Sequence, residues 1–441
     1  MSFGRRVTIF SFILTVLVVW IHAVNAGLSG LDMGVINSIS DQASAEELLS
    51  AVTGADTFIT AFGIKACFYI QRILGSGLGQ IAVPGFFAMS GYLFFRNADL
   101  YVRERDMREV TVILKENAEG NTTNDNGNAS QYKQRTAGLD AGYFIVKYKK
   151  RIGSLVLPFV IWNFIYYIIY IIIGKADTGL SALIQAVAFN RYNPVFWYLR
   201  ELIILTALTP IIYLLLRTRY AVIPVLLSGF MAAVFYYDLP FHIVNEDALF
   251  YYMTGCAAAL HIKRYIEADS TEEWRQALII SMLLFAAFEY VYIKCAGNLH
   301  LVLTGAVGGR AAGYSMIFSA VSLLTLKSCS KSMTPGNAAA ASEYQQNESK
   351  PVSEIPDKKN KAQANKIPGF MSFNFFVYAL HYLEIRFFRA VFSVLGAGFA
   401  LTESTGFIIM PALCIAAAVL AGGIMKRCMP QIYGILTGGR G

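Results

Sequence analysis

Several residues with chemical potential lie in stretches apolar enough to enter a bilayer. His22 sits near the end of 7–24 (VTIFSFILTVLVVWIHAV), where Thr8, Ser11 and Thr15 are the other polar residues. An ionisable side chain in hydrocarbon is costly, so it usually faces a helix-bundle interior or a wet cavity. The bland alternative is a packing histidine. His381 stands three residues after Tyr378 and three before Glu384. Positions three apart share a helix face, so His381 and Glu384 are expected to look into one cavity. Trp197 and Tyr198 in 193–201 (NPVFWYLRE) fit an interfacial aromatic belt. Arg200 and Glu201 behind them form a charged pair that would want a polar cavity.

Three further segments supply donors. Ser90 lies in 84–92 (PGFFAMSGY), whose small residues allow close backbone approach or a helix break near a cavity. Arg310 lies in GAVGGRAAG, which is not a phosphate loop: the strand, the Lys and the Ser/Thr are missing. Lys149, Lys150 and Arg151 belong to 147–158 (KYKKRIGSLVLP). Most such clusters anchor topology, but those facing a groove can hold phosphates. The set suits general-base chemistry with a stabilised oxyanion. Imidazole, with a pKa near operating pH, takes a hydroxyl proton. Arg200, Arg310, Ser90 or Ser11 would steady the developing oxyanion.

The 441 residues are 56% hydrophobic and only 15% charged, with mean hydropathy +0.49. A soluble domain carries about 25% charged residues. The depletion runs along the whole length, so an all-α, polytopic membrane bundle is expected. Long unbroken apolar runs exclude a β-barrel, and the first run reads as a span rather than a cleaved leader. The net charge of +8 is not a nucleic-acid signal. The six cysteines and five histidines show no ligand spacing, so no metal is expected. Cys256 and Cys414 read as core-facing; Cys67 and Cys295 fall on the same expected outer side, which permits a disulfide, but none is expected.

Ten spans are expected, at about 7–26, 79–96, 152–174, 195–216, 220–237, 247–262, 276–293, 301–326, 369–393 and 405–425. The stretch 58–76 carries Lys65, Gln71 and Arg72 and reads as an interfacial amphipathic helix. With both termini cytoplasmic, most of the 37 lysines and arginines fall inside, as orientation demands. The chain then forms one membrane domain over 1–441. Two cytoplasmic loops, 97–146 and 327–368, are polar and read as disordered. The sequons at Asn121 and Asn128 fall on the inner side and read as chance.

These residues carry a resemblance. The chain resembles the acyltransferase-3 family of integral membrane acyltransferases, many of which O-acetylate cell-surface polysaccharides. The matching features are His22, the FFxxSG segment (Phe86, Phe87, Ser90, Gly91), the basic stretch from Arg151 to Pro158, Trp197 with Tyr198 and Leu199, and Tyr378 with His381. They cover roughly 7–425. One departure stands out: the family has an Arg eleven residues before the first-span His, and here that position is Ser11. The resemblance implies transfer of an acyl group, acetyl by default, from acyl-CoA to a hydroxyl of a carbohydrate or glycolipid at the cell envelope. His22 would act as base or acyl carrier, in the plasma membrane of a bacterium. Catalytic candidates are His22, Ser90, Arg200, Glu201 and His381. Lys149, Lys150 and Arg151 would hold the coenzyme A phosphates, and Ser11, Trp197 and Arg310 would contact substrate. The rival expectation is a transporter or flippase for a lipid-linked sugar, to which broken spans and midplane charges are also suited.

Overall fold

The computed structural model describes residues 3–24, 47, 61–118, 138–234, 245–294, 299–332, 368–395 and 405–439. Cys295, Asn121 and Asn128 lie outside the described residues, as does most of the 327–368 loop. Among the described residues all regular structure is helical. In chain order the helices are α1 (Phe3–Ala23), α2 (Ala61–Gln71), α3 (Ala82–Phe95), α4 (Ala98–Ala118), α5 (Ala141–Arg151), α6 (Leu157–Ile172), α7 (Leu180–Ala188), α8 (Trp197–Ala207) and α9 (Thr209–Leu216). Then come α10 (Val222–Val234), α11 (Glu246–His261), α12 (Lys263–Glu267), α13 (Thr271–Lys294), α14 (Leu299–Ser332), α15 (Asn374–Val394), α16 (Gly406–Cys428) and α17 (Pro430–Thr437).

A helix stands at each of the ten expected spans. Six are long and apolar enough to cross a membrane, or seven if the bent pair α8–α9 counts as one. The others are short, or like α15 carry several charges. Two local expectations are corrected. The polar stretch 97–146 is not wholly loop: it opens with α4 and closes with most of α5. The stretch 195–216 is not one straight helix but bends by 61° between α8 and α9. Pro210 explains the break, because its ring removes an N–H and clashes with the carbonyl four residues back. The Thr209 hydroxyl donates to that freed carbonyl, on Thr206, at 2.7 Å.

The helices pack as two units. One comprises Met1–Gly85 with Ala268–Gly441, the other Phe86–Glu267. In the first, α1 packs against α14, α15 and α16, and α13 lies along α14. Arg6 is buried beside Trp274, its guanidinium 5.7 Å from the ring centre, and donates to the Ala268 carbonyl. In the second, α11 packs on α8, α9 and α10. Its first turn is capped by Asn245, whose side chain accepts from the Ala248 amide at 3.1 Å. Asp140 caps α5 in the same way through Tyr143.

The second unit is tied at one end by an ion pair. Arg96 reaches Glu267 at 2.7 Å and Tyr92 donates to the same carboxylate at 2.9 Å. Burial alone would raise the Glu267 pKa, but Arg96, Tyr92 and Lys263 outweigh it and hold the carboxyl below its ordinary 4.5. A depressed carboxyl stabilises the fold above its unfolded pKa, and the contribution is lost as pH falls through the folded value. Thermal midpoints taken downward from pH 5 should therefore fall in the wild type, with a shallower fall for Glu267→Gln. Superimposable profiles would show that this pair contributes nothing.

Candidate active site

α1 and α15 run side by side in the same direction. The Asn374 amide donates to the Ser11 hydroxyl near the start of the contact. Further along, the His22 and His381 rings meet with centres 5.2 Å apart and planes at 43°. At the far end Arg389 donates to the carbonyl of Ala23, the residue after His22. His22 occupies the last turn of α1. Tyr382 sets its ring edge-on to His22 at 6.4 Å, and the Arg386 guanidinium lies 5.5 Å from the centre of the Tyr382 ring. Positions 378, 381, 382, 385 and 389 follow helical spacing, so one face of α15 supplies this whole surround.

The His381 tautomer follows from its partners. Its Nδ1 lies 2.7 Å from the Tyr378 carbonyl. A carbonyl only accepts, so Nδ1 carries the proton and Nε2 keeps a lone pair. His381 is fully buried, and Nε2 has no protein partner. A buried ring nitrogen that has no hydrogen-bond partner among the described residues thus belongs to a ring packed 5.2 Å from the His22 imidazole, and imidazole is the side chain suited to proton transfer near neutral pH.

Other expected site residues land differently. Glu384 is not shared with His381: its carboxyl bonds the Cys414 thiol of α16. Three residues of helix still leave about 60° between two side chains at 3.6 residues per turn, enough to give them different neighbours. Arg310 on α14 interacts electrostatically with Glu289 on α13. Ser11, standing where the family pattern has Arg, is held by Asn374. Cys256 and Cys414 are buried, as expected.

Four more candidates fall in the second unit. Ser90 is buried, with its hydroxyl 3.3 Å from that of Tyr198. Tyr198 also packs on Phe87 at 4.7 Å, and Trp197 meets Phe87 at 6.3 Å. Glu201 takes Arg200 on one oxygen at 3.0 Å and the backbone amide of Asn245 on the other at 3.1 Å. That second bond pins the residue capping α11, so Glu201 has a structural task whatever else it does. Lys149 and Lys150 are exposed and Arg151 half-buried; among the described residues none of the three meets a carboxylate. In the preceding turn, Lys147 lies over the Tyr143 ring at 5.2 Å. Unneutralised cations at one helix end fit phosphate oxygens.

A family model described as an acyltransferase domain matches residues 9–333. This chain belongs to the acyltransferase-3 family. Neither a curated relative nor a solved structure matches it. Membership and the apolar helices together make it a multi-pass membrane acyltransferase. The matched region of the family domain contains His22, Ser90, Trp197 and Arg310 and ends before His381. The helix that completes the histidine pair therefore follows the matched region.

Sequence reasoning gave no role to Tyr382, Arg386 or Arg389. Their signal was present: the helical repeat from Tyr378 onward places Tyr382 and Arg389 on the His381 face.

Proposed function

We propose that this acyltransferase moves an acyl group, acetyl by default, from acyl-CoA to a hydroxyl of a cell-envelope carbohydrate. The observation that carries this is the His22–His381 pair, with ring centres 5.2 Å apart and the His381 ring tied down by the Tyr378 carbonyl. His22 takes the proton of the acceptor hydroxyl as its oxygen attacks the acyl carbon. His381, fixed by Tyr378, orients His22 by packing its ring against the His22 imidazole. The new C–O bond forms, the C–S bond of the thioester breaks, and the proton passes from His22 to the departing thiolate. Arg389, held at the end of α1, brings positive charge to the same end of the helix pair.

Lys149, Lys150 and Arg151 fit the phosphates of the donor. A charge-assisted hydrogen bond contributes about 1.5–3 kcal/mol, so Arg151→Ala should raise the apparent KM for acyl-CoA about tenfold or more, with kcat near wild type. An unchanged KM would remove Arg151 from the donor site. Turnover of radiolabelled acetyl-CoA by the purified, reconstituted chain tests the reading as a whole. Label reaching added envelope glycan supports it. No turnover with any acyl-CoA would favour a transporter, which consumes none.

A further inference from the structure

The second unit holds a cavity of about 380 Å³ where α3 and α11 end and α4 and α12 begin. That volume lies in the usual range of small-molecule sites, about 300–1,000 Å³. Its floor is apolar, with Phe95, Ala98 and Ala259 buried. Its rim is charged and open, since Asp99, His261 and Arg264 are exposed. α3 and α11 are two of the expected spans, and the segments that leave them, from Arg96 and from Lys263, fall on the expected inner side. The cavity thus stands where spans meet lipid headgroups.

The rim charges are matched except for one. Lys263 donates to both oxygens of Asp99, at 2.9 and 3.1 Å, and Arg96 meets Glu267 at 2.7 Å. Arg264 meets no carboxylate among the described residues. Its guanidinium lies 5.9 Å from the ring centre of the adjacent Tyr265. One positive charge is left over. His261 Nε2 lies 2.7 Å from the Leu216 carbonyl. In the neutral ring Nε2 therefore carries the proton and Nδ1 keeps a lone pair, an acceptor for a hydroxyl.

Apolar surface adjoins this rim. Ile262 and Tyr265, which flank Lys263 and Arg264 in the chain, are 47% and 61% exposed. Tyrosine is enriched where helices leave the bilayer, and an isoleucine so exposed at that level suits lipid chains better than water.

We infer that this cavity binds the headgroup of an anionic membrane lipid, a phosphodiester of the phosphatidylglycerol type. Arg264 takes the phosphate oxygens, which a guanidinium matches in geometry and charge. Basic pockets between membrane helices on the cytoplasmic side bind such headgroups. Charge favours a lipid over an acyl-CoA donor. A phosphodiester carries one negative charge, equal to the surplus on the rim. Coenzyme A carries several, which would also have to stand beside Asp99 and Glu267. A headgroup hydroxyl has an acceptor in His261, and the acyl chains have Ile262 and Tyr265. The inference stands whether or not the chain transfers acyl groups.

The test is lipid-dependent stability of the full chain in neutral detergent. Thermal midpoints are taken against rising dioctanoyl phosphatidylglycerol, dioctanoyl phosphatidylcholine, inorganic phosphate and coenzyme A. A ligand that binds only the folded state raises the midpoint. The expected result is a rise with phosphatidylglycerol that phosphatidylcholine does not match. One cation near a membrane surface strengthens binding of anionic lipid about fivefold, so Arg264→Gln should need about five times more lipid for the same rise. Arg264→Lys, which keeps the charge and loses the planar fork, should fall between. Arg264 is exposed and makes no ion pair among the described residues, so both variants should fold. Arg275→Gln controls for diffuse charge: Arg275 is exposed, lies on the expected inner side and pairs with Glu272. It should respond as the wild type does. No rise with phosphatidylglycerol, or an equal rise with phosphatidylcholine, overturns the inference. So does a rise unchanged in Arg264→Gln, or one weakened equally in Arg275→Gln. An Arg264-dependent rise given only by coenzyme A or inorganic phosphate assigns the cavity to a soluble phosphate and overturns the lipid.

Discussion

His22→Ala is expected to lose acyl transfer from labelled acetyl-CoA while expression and helix content stay at wild-type values. The expected loss is about 10²–10⁴-fold, the usual worth of a positioned general base. His381→Ala should fall nearly as far, although its ring need not touch substrate, because that ring, fixed by the Tyr378 carbonyl, packs against His22 and positions it. Residues acting as a unit are strongly non-additive. The double variant should therefore be no slower than His22→Ala alone. Full activity in His22→Ala would end the assignment. Independent, multiplying losses would show two separate roles instead of a pair.

The second large effect is on stability. α3 and α11 cross at Gly91 and Gly255. A methyl group on Gly255 would lie 1.9 Å from the Ala88 carbonyl oxygen, and one on Gly91 would lie 2.3 Å from that of Tyr252. The obstacles are backbone atoms, so no rotamer change relieves them, and the helices themselves must part. Small residues at such crossings let membrane helices pack by close backbone approach. Gly255→Ala should therefore cost about 3 kcal/mol, the upper end for overpacking, and lower the midpoint on the order of 5–10 °C. Gly423→Ala is the contrast. Nothing lies within 4 Å of that position in α16, and alanine is the better helix former, so its midpoint should hold or rise. Equal behaviour of the two variants would refute the crossing as a tight contact.

What was legible in the sequence followed the hydrophobic effect and helical periodicity. Apolar runs located the helices, and the placement of His22, Ser90, Trp197 and His381 carried the family. What was not legible depended on which neighbour each side chain meets. Glu384 shares a helix face with His381 on paper, yet it reaches Cys414, because 60° of rotation suffices to change partner. Glu201 looked like half of a membrane charge pair, and its second oxygen instead holds the backbone at Asn245. Pro210 was visible within an apolar run, but the run's length outweighed it in the reading, and the resulting 61° bend went unread. The helix α4 was hidden by its charge: its polar residues suggested a loop where 98–118 is helical.

The histidine pair also sets a schedule. His22 is made before His381, with the whole of Phe86–Glu267 synthesised in between. At ribosomal rates of about 5–20 residues per second, α1 waits on the order of tens of seconds before its partner exists. Throughout that interval a polar ring occupies the first helix without its eventual neighbour, while the intervening unit already has all of its own helices. A nascent chain halted after α12 would thus possess the basic helix end but not the histidine pair. Activity should emerge late and abruptly in translation, only once α15 has come to lie beside α1.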